Sequence, residues 1–347
     1  FFQLKVCFSN FLIYCIFSLR CEYAKKTFAK LKLCSYFFME EYMNIFRGAF
    51  TALITPMNAD GSVDFEGFRK NVKHQLAEGI DGLVPLGTTA ETPTLDERPG
   101  EEEDKIIEIV FEEVRAFEKE TGKKIPVILG AGSNNTKDAV AYVERAKKAG
   151  ADGALVVTPY YNKCTAEGLF QHFNAMASSC DAPVILYNVP SRTNVNISPE
   201  LLKKLSVYEN IVGVKDATGN LSQAAIMISK AMGEVELDVY SGNDDQILPI
   251  LSLGGSGVIS VLSDIMPAET VEMCEAFWRG DMKKAQKLQL GLLPLINALF
   301  SEVNPIPVKA ACAAMGYGKN YLRLPLTPMD KEKEKVLFDL MREQNLI

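Results

Sequence analysis

Eight short β-branched or apolar runs recur along the chain, each closed by a turn cluster and followed by a segment of helical length, and this alternation limits the fold more than any other feature. In order they are GAFTALITP, DGLVPLGTT, IPVILGAGS, DGALVVTPYY, APVILYNVP, IVGVKDATG, LDVYSGNDD and GVISVLSD. Between them the apolar spacing turns helical, as over Asp64 to Glu78, Lys105 to Thr121, Thr136 to Ala149 and Ala166 to Ser179, and several of these stretches open on a Ser, Thr or Asp that can cap a first turn. Strands that alternate with helices pair in parallel. Eight such units in about 230 residues fit an α/β chain closed into a (β/α)8 TIM barrel, whereas a doubly wound sheet has fewer strands and a glycine-rich dinucleotide loop after the first. No G-x-G-x-x-G follows the first run. Helical patterns near Lys283 to Leu299, Ile306 to Met315 and Lys331 to Gln344 then predict a C-terminal helical extension, so the expected division is a barrel over 43–278 and an extension over 279–347.

Residues 1–42 are different material. They hold 4 of the 8 cysteines and 8 of the 19 phenylalanines, and they carry a charge of +3 in a chain whose net charge is −7. The run FSNFLIYCIFSL (Phe8 to Leu19) has the length of a signal-peptide core, is too short for a membrane span, and is followed by no clear A-x-A site. This leader is expected to lie outside the fold, as a fusion scar or translated upstream sequence in preference to a targeting piece, with MNIFRGAFTALITP as the natural start.

The main body, with the remaining −10 and no sustained basic stripe, offers little to hold nucleic acid, and small molecules are the expected partners. Its four cysteines (Cys164, Cys180, Cys274, Cys312) show no C-x-x-C spacing, and only two histidines occur, His74 and His172. Neither a disulfide framework nor a metal site is expected, and the body reads as reduced and cytoplasmic.

Barrel enzymes place reactive groups where strands end and βα loops begin. Here those positions supply Thr88 and Thr89, Tyr160 and Tyr161, Tyr187 with nearby Arg192, Lys215, and Ser241 to Asp244. Taken singly, each has an ordinary reading: a solvated edge lysine, a core tyrosine, a loop arginine, turn-forming threonines, an aromatic packing patch. Together at one rim they suggest chemistry. A partly desolvated lysine loses its proton more easily and its neutral amine can attack a carbonyl to give a Schiff base, whose protonated imine is an electron sink. A bound 2-oxo acid could then lose a methyl proton and add to an aldehyde, with Tyr187 as proton shuttle, a threonine hydroxyl and backbone amides anchoring one carboxylate, and Arg192 gripping a second. The glycines of LGGSGVIS precede the eighth strand, at the opposite rim, so a tight helix-to-strand turn is expected there and not a phosphate cradle.

The motifs GTTAETPTL, TPYYNK, YNVPSRT, GVKDATGN, SGNDD, GGSGVISV and NPIPVK, in this order, resemble those of the dihydrodipicolinate synthase (4-hydroxy-tetrahydrodipicolinate synthase) branch of the pyruvate-dependent class I aldolases, from about Met43 to the C-terminus. The resemblance implies condensation of pyruvate with L-aspartate 4-semialdehyde in lysine and diaminopimelate synthesis, with no cofactor beyond the covalent link to pyruvate. It implies Lys215 as the Schiff-base lysine, Tyr187 as proton donor and acceptor, and Thr88 and Tyr161 completing a relay, Tyr161 being contributed by the neighbouring subunit of a homotetramer built from two dimers. Thr89 would hold the pyruvate carboxylate, Ile259 would line it through its backbone, and Arg192 would meet the aldehyde's carboxylate. Two departures stand out. Ala90 replaces the usual glycine of GTTGE, which a backbone outside the left-handed region tolerates. At the family's lysine-inhibition site Asn134 and Tyr160 match, while Asp138 stands where a glutamate is common and Glu97 where some members carry histidine. The rival readings are N-acetylneuraminate lyase or another aldolase of the family, from which Thr-Thr and PSRT differ, and a non-catalytic sensor of oxo acids.

Overall fold

In the computed structural model, which describes residues 46–233 and 237–347, the eight runs form eight strands of one parallel sheet. They are β1 (Gly48–Ala52), β2 (Gly82–Val84), β3 (Ile128–Gly130), β4 (Gly153–Val157), β5 (Val184–Asn188), β6 (Ile211–Asp216), β7 (Asp238–Ser241) and β8 (Gly257–Ser260). Their order is β2-β1-β8-β7-β6-β5-β4-β3, and a parallel bridge between Leu83 and Val127 joins the two ends, so the sheet closes on itself as a barrel. The expected leader, residues 1–42, lies outside the described residues.

The barrel helices are α1 (Phe65–Ala77), α2 (Glu102–Thr121), α3 (Thr136–Ala149), α4 (Ala166–Ser179), α5 (Pro199–Leu205), α6 (Leu221–Gly233), α7 (Ile247–Ser252) and α8 (Pro267–Trp278). Their starts follow from side-chain caps: Asp64, Asn135, Thr165 and Ser198 each accept a hydrogen bond from a backbone amide of the first turn. Such a cap contributes about 1 kcal/mol. Gly122 and Gly150, both in the left-handed region, terminate α2 and α3. The extension comprises α9 (Met282–Leu299), α10 (Ile306–Ala314) and α11 (Lys331–Glu343); α9 packs on α8, and α11 packs on α9 and α10. Sequence reasoning misplaced helix ends by a residue or so, and set the start of α2 three residues late. There the acidic first turn, Glu102, Glu103 and Asp104, carries no apolar periodicity but suits the positive helix end.

Two cores result from the period-2 alternation of the strands. Outward residues such as Leu186 and Val214 join the apolar layer beneath the helices, while inward residues form a second cluster: Phe46, Phe50, Ala52, Val84, Ile128, Leu155, Ile185, Tyr187, Val189, Tyr240 and Ile259. Near the strand starts Phe50 packs edge-on to Tyr240 with ring centroids 6.3 Å apart. Gly82 is required beside it, because a Cβ there would lie 2.1 Å from the Phe50 ring. The glycine-rich turn before β8 is a helix-to-strand connection: Gly257 has φ 146°, and its Cβ would sit 1.9 Å from the Gly48 carbonyl. The barrel is therefore filled from below, and a cavity opens toward the ends of the strands.

Candidate active site

A cavity of about 670 Å³ occupies that end. Thr88, Thr89, Tyr187, Arg192 and Lys215 all line it. Tyr187 and Lys215 are brought together by the ladder, since β5 and β6 pair in a register that sets Tyr187 opposite Lys215, both on the inward phase. The Lys215 Nζ lies 4.4 Å from the Tyr187 ring centroid. At 6 % exposure the ammonium has lost most of its water, and this desolvation pulls its pKa down from 10.5 to about 8. The Asp244 carboxylate works in the opposite direction and the Arg192 guanidinium in the same one. Burial also pushes the Tyr187 phenol up, offset in part by Arg192 and by a hydrogen bond with the Thr88 side chain.

The Thr88 and Thr89 pair sits on a short 3-10 turn, Thr88–Ala90, in the loop that follows β2. Asn304, in the stretch before α10, donates from Nδ2 to Thr89 Oγ1 at 3.0 Å, and its carbonyl accepts a hydrogen bond from Arg192 Nη2 at 3.1 Å. Arg192 itself rides on a single helical turn, Pro190–Thr193, closed by the left-handed Asn194. Ala90, where glycine was expected from the motif, is outside the left-handed region and buried without difficulty. The left-handed residue is its neighbour Glu91, at φ 57°.

Ile259 and Tyr161 stand apart from these five. Ile259 lies in β8 beside Phe50 of β1, buried in the inner core and not on the cavity wall. Tyr161 is 91 % exposed in a left-handed backbone conformation (φ 69°), an unfavourable state for an aromatic residue, and does not line the cavity. Its loop is held in place all the same: Asn134 Nδ2 donates to the Tyr160 carbonyl at 3.2 Å, and Asn162 Nδ2 to the Asn134 carbonyl at 2.9 Å. Tyr160 and Glu97 border the cavity, Glu97 accepting a hydrogen bond from the Tyr142 hydroxyl, whereas Asp138 accepts from Asn135 at the start of α3.

Sequence reasoning placed Asp244 at the rim but gave it no task. Its Oδ2 accepts from the amides of Val261 (3.1 Å) and Leu262 (2.9 Å), which fixes the carboxylate near Lys215. Asn304 and Lys309 lay unassigned within NPIPVK, and Glu91 within GTTAE. Among the described residues no group of three or more His, Cys, Asp and Glu side chains could hold a metal ion, and no helix is long and apolar enough to cross a membrane.

The model of the dihydrodipicolinate synthetase family matches residues 45–344. The chain belongs to this family. It is 47% identical over 303 residues to the 4-hydroxy-tetrahydrodipicolinate synthase of Alkaliphilus oremlandii, covering 87% of this chain and 100% of the relative. The corresponding protein of Geotalea uraniireducens is 46% identical over 303 residues, with the same coverage. The crystal structure of dihydrodipicolinate synthase from Aquifex aeolicus superposes with a TM-score of 0.81 at 41% identity, covering 87% of this chain and 99% of that one. Members of the dihydrodipicolinate synthetase family are thus similar to this chain across the barrel and the C-terminal helices alike.

Proposed function

We propose that this chain condenses pyruvate with L-aspartate 4-semialdehyde to 4-hydroxy-tetrahydrodipicolinate, as a lyase of the class I aldolase type serving lysine and diaminopimelate synthesis. The observation that carries this reading is the desolvated Lys215 amine at the cavity floor against Tyr187. With a pKa of about 8, about one lysine in ten is neutral at pH 7, against about one in several thousand at the ordinary value. That amine attacks C2 of pyruvate; a C–N bond forms, the carbonyl oxygen leaves as water, and Tyr187 passes the protons, with Thr88 beside it. Thr89, on the cavity wall, holds the pyruvate carboxylate, while Ile259 stays in the core behind it. The imine draws electrons from the methyl group, a proton leaves, and the enamine carbon bonds to the aldehyde carbon of the second substrate, whose carboxylate Arg192 grips. The substrate amine then displaces Lys215 from C2, closing the ring and freeing the enzyme. No cofactor takes part beyond this covalent link.

The exposed Tyr161, held in a strained backbone, completes the relay in the site of a neighbouring subunit, so the smallest active unit is a dimer. Exposed apolar side chains on α6 (Leu221, Ile226) and after α7 (Leu253), on helices that touch, offer a second contact for a homotetramer of two dimers. The barrel over 43–278 and the extension over 279–347 work as one cytoplasmic body, and residues 1–42 contribute nothing to the chemistry.

The test is a coupled assay with pyruvate and each of two aldehydes. Turnover with aspartate semialdehyde and none with N-acetylmannosamine supports the synthase. The reverse result identifies a lyase, and imine formation without any condensation identifies a sensor of oxo acids.

A further inference from the structure

Behind the Thr88–Thr89 turn lies an ion pair sealed from water. Lys309 of α10 and Glu91 join through Nζ and Oε1, with side chains 1% and 2% exposed. The other carboxylate oxygen, Oε2, accepts the backbone amide of Arg323 at 3.2 Å. Arg323 continues the clamp: its guanidinium meets Glu102 at both carboxylate oxygens, the carbonyl of Thr94, and the carbonyl of Gly61 at 2.7 Å. From the cavity side Asn304, just before α10, donates to Thr89 Oγ1. The turn is therefore gripped on both sides by the extension.

What makes this more than packing is the backbone of Glu91. A non-glycine residue at φ 57° persists only where its surroundings over-determine it, and such residues gather at active sites. Its amide bonds to the Thr88 carbonyl at 3.2 Å, closing the turn that carries both threonines. A buried carboxylate with a single cation as partner has little freedom to shift, because leaving that cation exposes two unpaired charges to a low-dielectric interior.

We propose that Glu91 and Lys309 are positioning residues for the reaction, holding the Thr88–Thr89 turn at the geometry that its hydroxyls need against Tyr187 and the 2-oxo acid. The extension thereby acts as part of the catalytic apparatus without touching substrate. This rests on the reading of Thr88 and Thr89 given above.

The experiment compares Lys309→Met, the double variant Glu91→Gln with Lys309→Met, Thr88→Val, and Thr88→Val combined with Lys309→Met, reading kcat, KM for pyruvate, Tm and the borohydride-trapped adduct on Lys215. The double variant removes both charges at once, so it leaves no lone buried ion if Lys309→Met fails to fold. Displacement of a reacting group by about 1 Å costs on the order of 100-fold, and a kcat loss of that order is expected for the folded variants well below their Tm, with the Lys215 adduct still forming. In the Thr88→Val background the Lys309→Met effect should nearly vanish, a non-additivity that simple destabilisation does not produce. If Thr88→Val lowers kcat while the folded ion-pair variants keep full kcat, the proposal is overturned and the active-site reading stands. Independent, additive losses overturn it too. If Thr88→Val itself is without effect, the reading of Thr88 falls, and the positioning role falls with it.

Discussion

The Nζ of Lys215 stands over the ring of Tyr187, 4.4 Å from its centroid, because the parallel pairing of β5 and β6 makes the two residues partners across the ladder. An ammonium over an aromatic face retains some stabilisation of its charge, yet the net effect of the site is to favour the neutral amine. Incubation with pyruvate and borohydride should therefore add a stable mass at Lys215, and Lys215→Ala should abolish it, as read by peptide mass spectrometry. Labelling of another lysine would end this assignment.

The pH dependence follows from the same group. The rate of imine formation with pyruvate should rise with pH, nearly tenfold per unit, and level off near pH 8, in a stopped-flow or quench measurement. Asp244 raises the Lys215 pKa and Arg192 lowers it, so Asp244→Asn should move the midpoint to lower pH and Arg192→Ala to higher pH. Shifts in the same direction would contradict the electrostatic account. The linkage to stability has a defined sign as well: the unfolded chain holds this proton more tightly, so the cost of burying Lys215 falls as pH rises between about 8 and 10.5.

Arg192 lines the cavity from the turn after β5, and in the proposed reaction its grip on the second carboxylate would be a charge-assisted bond of about 1.5–3 kcal/mol. Arg192→Ala should raise KM for the aldehyde by roughly 10- to 100-fold and leave KM for pyruvate within a few-fold. Equal rises for both substrates would point to the hydrogen bond with Asn304, and hence to a structural role.

Tyr161 provides a test of assembly. Tyr161→Phe and Lys215→Ala should each be inactive as homodimers, and co-expression or joint reassembly should restore part of the activity, since a mixed dimer contains one site with both groups intact. Folded mixed dimers that remain inactive would remove Tyr161 from the shared site.

Removal of residues 1–42 should leave kcat and Tm nearly unchanged in a thermal melt and the coupled assay. The first strand begins at Gly48 and the family match at residue 45. A large fall in either quantity would give the leader a role that the barrel does not reveal.

The barrel is legible in the order of residues alone. Strand alternation, helix periodicity and capping residues are local signals, set by the nearest few neighbours, and eight repeats of one local pattern leave a single economical closure; the helix starts near Asp64, Thr136 and Ala166 were legible for that reason. Lys215, Tyr187, Thr88, Thr89 and Arg192 were legible as strand-end residues, because the fold puts all strand ends at one rim. Meetings of distant side chains, by contrast, arise only when the chain has folded. Asn304 reaches Thr89 across 215 residues of chain and Lys309 reaches Glu91 across 218, and nothing near either partner in sequence records the other. The same holds for the pKa of Lys215: a lysine at the end of an apolar run is an ordinary surface group until the closed barrel takes away its water, and desolvation is a property of everything packed around it.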